Sequence, residues 1–284
     1  MHEVTEHLLV AIALALLLII GTNAIYGYLN SNAPLLAERD EEMAYGYLKA
    51  IRKIVGSNPD DIARLSPEFK NNVPTDYISY DLLKAQLKSD KAFRISYHPP
   101  LSVGLDYAGG VADITVTDSI SGGVKSNAIV ELIGLEEGSI LRKFNSTTDS
   151  EGKARFELSF SPKILTCFAH EGPIAGFAVL GANKEANAYV KANIVHTNKS
   201  LTNAWLVAKD AIKELPFQDG TSALPNNRNP PFLVILWDGS SYSYITYPHL
   251  PNDYGSAIKG QVKLWTTEWI GGSPFLVEFS YGGL

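Results

Sequence analysis

Leu8-Leu9-Val10-Ala11-Ile12-Ala13-Leu14-Ala15-Leu16-Leu17-Leu18-Ile19-Ile20 is an unbroken apolar run, and its reading decides the architecture expected of the whole chain. Gly21, Thr22 and Asn23 interrupt it, and Ala24-Ile25-Tyr26-Gly27-Tyr28-Leu29 extends it. Taken to Leu29 the run has 22 residues. As a helix it would span roughly 33 Å at 1.5 Å per residue, which matches a bilayer core of about 30 Å. Tyr26 and Tyr28 stand where interfacial aromatics belong.

Three readings compete for this run. A secretory signal peptide needs a basic first region, whereas the charged side chains before the run are Glu3 and Glu6. A membrane anchor is allowed by length, but the first basic residue is Arg39, so no positive flank fixes its orientation. The third reading is a helix held in the membrane before assembly and then packed among copies of itself in a filament. An acidic residue near its start is then useful. A carboxylate buried in apolar surroundings needs a partner, and the terminal amine of an adjacent subunit supplies one. Glu3 and Glu6 are the candidates for that pairing. The large side chains from Leu8 to Ile20, with Ile25 and Leu29, are the candidate filament-core or membrane-contacting residues.

Downstream, Leu36, Met43, Tyr47, Ala50 and Ile54 recur at helical spacing and mark one apolar face. Acidic residues crowd the beginning of this stretch and Lys49, Arg52 and Lys53 its end, an order that complements the helix dipole. Gly56 and Pro59 stop it. The spacing also predicts a short helix over 77–89. From Phe93 onward the pattern becomes that of half-buried strands: 93–97, 111–117, 127–133, 154–160, 174–180 and 188–195. Turn signals separate them, among them Asp149-Ser150-Glu151-Gly152. Leu201, Trp205, Ala208, Ile212 and Leu215 predict an amphipathic helix ended by Pro216. A polar loop rich in Pro and Asn, 217–231, is a candidate boundary, and four more strands over 232–237, 242–247, 261–266 and 275–281 close the chain.

The expected fold class is therefore α+β: a long N-terminal hydrophobic helix followed by a β-rich, immunoglobulin-like sandwich ectodomain. Residues 1–56 form the helix and its amphipathic extension, 57–91 a helical connector and 92–284 the β-rich part.

Composition narrows the function. The chain has 284 residues and a net charge of −6, from 24 basic against 30 acidic residues, so it lacks the basic footprint of a nucleic-acid binder. Its single cysteine, Cys167, excludes an internal disulfide and sits in an apolar run, where it reads as a small buried hydrophobe. None of the six histidines has the spacing of a zinc motif, and there is no nucleophile elbow, P-loop or dinucleotide fingerprint. No metal, no cofactor and no catalytic group is expected. Asn145-Ser146-Thr147 and Asn198-Lys199-Ser200 are sequons in predicted loops, which makes Asn145 and Asn198 candidate glycosylation sites. Tyr242, Tyr244, Tyr247, Trp265 and Trp269 fit either an adhesive face or the packing of a sheet.

An acidic start, a long apolar helix, an amphipathic continuation and a β-sandwich together resemble archaeal type IV pilin-like proteins, including archaellins and adhesion-filament subunits with immunoglobulin-like outer domains. The likeness is architectural and covers Met1 to about Gly56 most closely. Precursors in that family carry a short basic leader that a dedicated peptidase removes; either this sequence begins after that cut or the resemblance fails there. Bacterial members place a glutamate near the start of the helix, which Glu3 and Glu6 match loosely. Separately, Ser126 to Leu132 followed by Thr147 to Phe156 is similar to immunoglobulin-like repeat modules of surface proteins. The resemblance implies a helical homopolymer at the cell surface, held in the membrane before assembly, that meets cell or abiotic surfaces and serves adhesion or motility. The alternative is a single-pass anchored binding protein that does not polymerise. A surface hydrolase with a site converging from loops is the third reading, and no residue pair supports it.

Overall fold

The computed structural model describes residues 40–136, 141–185, 187–209, 211–225 and 230–283. These residues are mostly β, which corrects the expected α+β class built on one long apolar helix. Among them no helix is long and apolar enough to cross a membrane. Three of the helices found have only 5, 6 and 8 residues, and strands dominate the rest. The run Leu8–Leu29, with Glu3 and Glu6, lies outside the described residues. The expected β-sandwich is present.

Helix α1 occupies 40–55, followed by α2 (Pro59–Ala63), α3 (Pro67–Asn72) and α4 (Tyr80–Leu87). Pro59 and Pro67 begin α2 and α3, where the missing N–H costs nothing. The Ser79 hydroxyl caps α4 by accepting from the Leu82 N–H at 3.3 Å. Helices α1, α2 and α4 pack on one face of a four-stranded antiparallel sheet ordered Tyr254–Gly255, Ala92–His98, Ser273–Gly283, Lys259–Ile270. Both ends of the described chain thus meet in this terminal sheet. Ala44, Leu48, Ile51 and Val55 of α1 are buried against Phe93, Ile95, Val277 and Phe279. The helical spacing of Met43, Tyr47, Ala50 and Ile54 predicts an apolar face one residue away. Apolar residues occupy both stripes: Tyr47 and Ile54 are partly buried against the same core, which takes the adjacent stripe fully. Met43 is left 38% exposed.

Between the two halves of the terminal sheet the chain builds four stacked β layers. The first holds Leu101–Ala108, Val111–Asp118 and Lys153–Glu157. The second orders Leu141–Thr147, Ile129–Leu135, Ile164–Glu171 and Ile174–Leu180. Together they make a seven-stranded Greek-key sandwich of the immunoglobulin-like kind. Val116, Val130, Leu132, Cys167 and Ala169 fill its core. Gly176 lets the two sheets close at one edge, since a Cβ there would lie 2.1 Å from the Leu101 carbonyl oxygen. Asp149–Gly152 is a tight turn, as expected: the Asp149 carboxylate accepts from the N–H groups of Glu151 and Lys153 at 2.8 and 2.9 Å. That carboxylate is engaged by its own backbone.

The third layer orders Ala211–Glu214, Asn203–Ala208, Phe232–Trp237, Tyr242–Tyr247 and Asn183–Lys184. The fourth holds Ala188–Lys191, Ile194–Thr197 and Thr221–Ala223. Strands from either side of 217–231 therefore pair in one sheet. The helix expected over Leu201–Leu215 is instead a hairpin. Ala204 to Ala208 is an unbroken apolar run, buried on both faces, and a periodicity of 3.6 picks alternate members of such a run by accident. The single strand expected over 188–195 divides into two at Ala192 and Asn193, whose φ values of 49° and 65° turn the chain back.

The second and third layers share an apolar interface of Ile133, Leu135, Phe168, Trp205, Val207, Leu233 and Ile235. Alternate residues of the same strands, Leu206, Val234 and Leu236, face the fourth layer. Central strands therefore bury both faces, which is why Phe232-Leu233-Val234-Ile235-Leu236 is apolar throughout.

The helical unit is fastened to the third and fourth layers by polar contacts. The Lys184 ammonium lies 2.5 Å from the Glu68 carboxylate, Lys191 pairs with Asp76, and the Ala192 N–H donates to Asp60 at 2.9 Å. At the centre of this joint, His249 is 1% exposed and its Nε2 accepts from the Val190 N–H at 2.9 Å. The Phe69 ring meets both His249 and Tyr189 edge-on.

Candidate binding surface on the terminal sheet

Along the edge strand Lys259–Ile270, side chains alternate in the ordinary two-residue period. Val262, Leu264 and Glu268 face the helices, where Glu268 receives both the Nε and a terminal nitrogen of Arg52. Lys263, Trp265, Thr267 and Trp269 face away and are exposed. Trp265 is 37% and Trp269 63% exposed. Indole rings bury large apolar areas when they can, so two exposed on one strand face are informative in a way that an exposed leucine is not.

Register brings further groups to Trp265. Glu278 lies directly opposite it, and one carboxylate oxygen of Glu278 accepts from Lys263 Nζ at 2.8 Å. The His98 ring, from the strand on the far side of Glu278's, lies 5.8 Å from Trp265 between centroids, tilted by 38°. Burial holds the His98 imidazole below its ordinary pKa, opposed by the nearby Glu278 charge. The ring is therefore neutral at pH 7, with one donor and one acceptor nitrogen. Its Nε2 is buried without a hydrogen-bond partner among the described residues. These groups line a cleft of about 340 Å³ where the terminal sheet meets the sandwich, together with Pro99, Leu101, Ser102, Val103 and Phe177.

The other aromatics named from the sequence do not join this surface. Tyr242 stacks on Trp237 with centroids 4.2 Å apart, and Tyr247 stacks on Phe232 at 4.8 Å. Tyr244 is half-buried between the second and third layers. All three pack sheets. His98 was missed as a partner for Trp265 because the two are far apart in sequence and only the strand order joins them.

Of the candidate glycosylation sites, Asn198 is exposed in a bend after Thr197. Asn145 is also exposed, but it sits mid-strand in Leu141–Thr147, at the edge of the second layer and opposite Glu131, rather than in a loop. Cys167 is fully buried, and burial pushes its thiol up to about 12, which leaves it without thiolate chemistry. Among the described residues no group of three or more His, Cys, Asp and Glu side chains could hold a metal ion.

No family model matches the chain, and no curated protein matches it. Among solved structures, the tetra-tandem repeat in the extending region of a large adhesion protein matches over 62% of this chain and 52% of that one. The identity is 11% and the TM-score 0.20. A score that low does not establish a common fold.

Proposed function

We propose that this chain is a cell-surface filament subunit whose outer β layers carry an adhesive face. The reading rests on the Trp265–Trp269 pair, exposed on one strand face beside an amphipathic cleft. Polymerisation is supported by the run Leu8–Leu29, which must leave water. Each large apolar side chain it buries is worth about 1.5–3 kcal/mol, and the dozen large aliphatic ones in the run together exceed the usual cost of association. Just downstream, Met43, Gly46, Tyr47, Ala50 and Leu87 leave a shallow apolar groove of about 290 Å³ on α1 that a second copy would cover. Membrane retention before assembly, display outside the cell and the absence of enzymatic activity belong to the same proposal.

Replacing both Leu14 and Leu17 with Asp tests the assembly half. The double variant should yield no fibres while its near-UV circular dichroism stays that of the folded β layers. Fibres at normal yield would overturn the reading. Because the run also matches the thickness of a bilayer, the second reading is a single-pass anchored binding protein. That reading predicts wild-type chain in the membrane fraction and none in sheared fibres.

A further inference from the structure

We infer that the cleft beside Trp265 is a carbohydrate subsite that takes a neutral pyranose ring; this deepens the adhesive reading and rests on it. A pyranose has a C–H face and a rim of hydroxyls that both donate and accept. It therefore needs an aromatic plate on one side and mixed polar groups at the edge. The cleft supplies both. Trp265 offers a partly exposed indole, and Pro99, Val103 and Phe177 continue the apolar wall. The polar groups are Ser102, the neutral His98 imidazole, and Glu278, whose carboxylate Lys263 holds on one side.

The alternatives fit the same groups less well. An anionic ligand would meet Glu278, and a cationic one would compete with the Lys263 ammonium already paired there. A hydrocarbon chain would strip water from Ser102, His98 and the second Glu278 oxygen without replacing its hydrogen bonds. The volume, about 340 Å³, lies at the small end of the range for small-molecule sites. That suits one or two sugar rings held at the surface of a longer glycan.

The test uses the full chain in a detergent without a sugar headgroup, applied to an array of neutral hexose and N-acetylhexosamine oligosaccharides. Proline-rich peptides and acidic oligosaccharides are printed beside them, and hits are titrated by tryptophan fluorescence. At least one neutral oligosaccharide should bind. Trp265→Ala should weaken it about tenfold or more. Ser102→Trp, which fills the cleft from an exposed strand position, should do the same without touching a core. Trp269→Ala, outside the cleft, should leave affinity unchanged. No neutral sugar bound, a preference for the peptides or acidic sugars, or binding indifferent to both cleft variants would each overturn the assignment. Adhesion of wild-type fibres to cells and glass is scored in parallel. Adherent fibres that bind no sugar would sink the carbohydrate subsite and leave the adhesive reading standing, whereas fibres that adhere to nothing would sink both.

Discussion

Ile235→Ala and Leu236→Ala are each expected to cost about 2–5 kcal/mol of stability, although the two residues are neighbours and point to opposite faces of one strand. In a sheet with one wet face, only one of such a pair would matter, and the other would fall within about 0.5 kcal/mol of wild type. Here Ile235 is 0% and Leu236 1% exposed. Ile235 packs with Leu233, Trp205 and Phe168 toward the second layer, while Leu236 packs with Val195 and Leu206 toward the fourth. Urea unfolding followed by tryptophan emission measures both, because Trp205 is 3% exposed and lies directly opposite Ile235 in the ladder. Thr267→Ala, on the exposed face of the edge strand, serves as the control. A near-neutral Ile235→Ala would mean that the second and third layers are not stacked.

Acid should loosen the joint between the helical unit and the fourth layer, with His249 as the main cause. Burial drives its pKa down from an ordinary 6.5 to about 4, against the pull of Glu68 and with a smaller push from Lys184. The unfolded chain protonates this histidine as pH falls through 6.5, while the folded chain resists until about 4. Stability is therefore complete above 6.5 and falls through that window, by about 3 kcal/mol at its lower end. Protonation would also take away the Nε2 lone pair that accepts the Val190 N–H. Glu68 acts in the same direction at lower pH. Burial raises its pKa, but the hydrogen bond and charge of Lys184 outweigh burial and leave it below the ordinary value. Its contribution is then present above about 4.5 and lost as the carboxylate protonates. His249→Gln keeps an acceptor for Val190 and removes the imidazole, so its stability should be flatter than wild type's from pH 7 to 5, the residual slope coming from His98 and His196, whose pKa values burial also lowers. Wild-type stability that is equally flat would contradict a buried neutral His249.

The sandwich was legible because its strands alternate cleanly, as in 111–117, and because Gly and Asp mark its turns. Its edges were not. Leu101–Ala108 is largely exposed on alternate residues and Leu141–Thr147 is mostly polar, so neither carries a strong apolar signal. The hairpin at 203–214 failed for the opposite reason: a run apolar on both faces has no period to read. On α1 the apolar arc spans both stripes, and only the facing sheet decides which is core. The tryptophans of the binding surface could be named from sequence, but their separation from Tyr242 and Tyr247 depends on strand parity and on neighbours from other layers. His98, Trp265 and Glu278 come together through a sheet whose strands are the first and the last of the described chain, a pairing that local pattern does not encode.

The filament proposal is tested most directly by shearing fibres from the native cells, imaging them by electron microscopy and identifying their subunit by mass, including its first residue. The account predicts fibres made of this chain with the run Leu8–Leu29 retained. Chain recovered solely from the membrane fraction, with fibres absent or built from another protein, would contradict it.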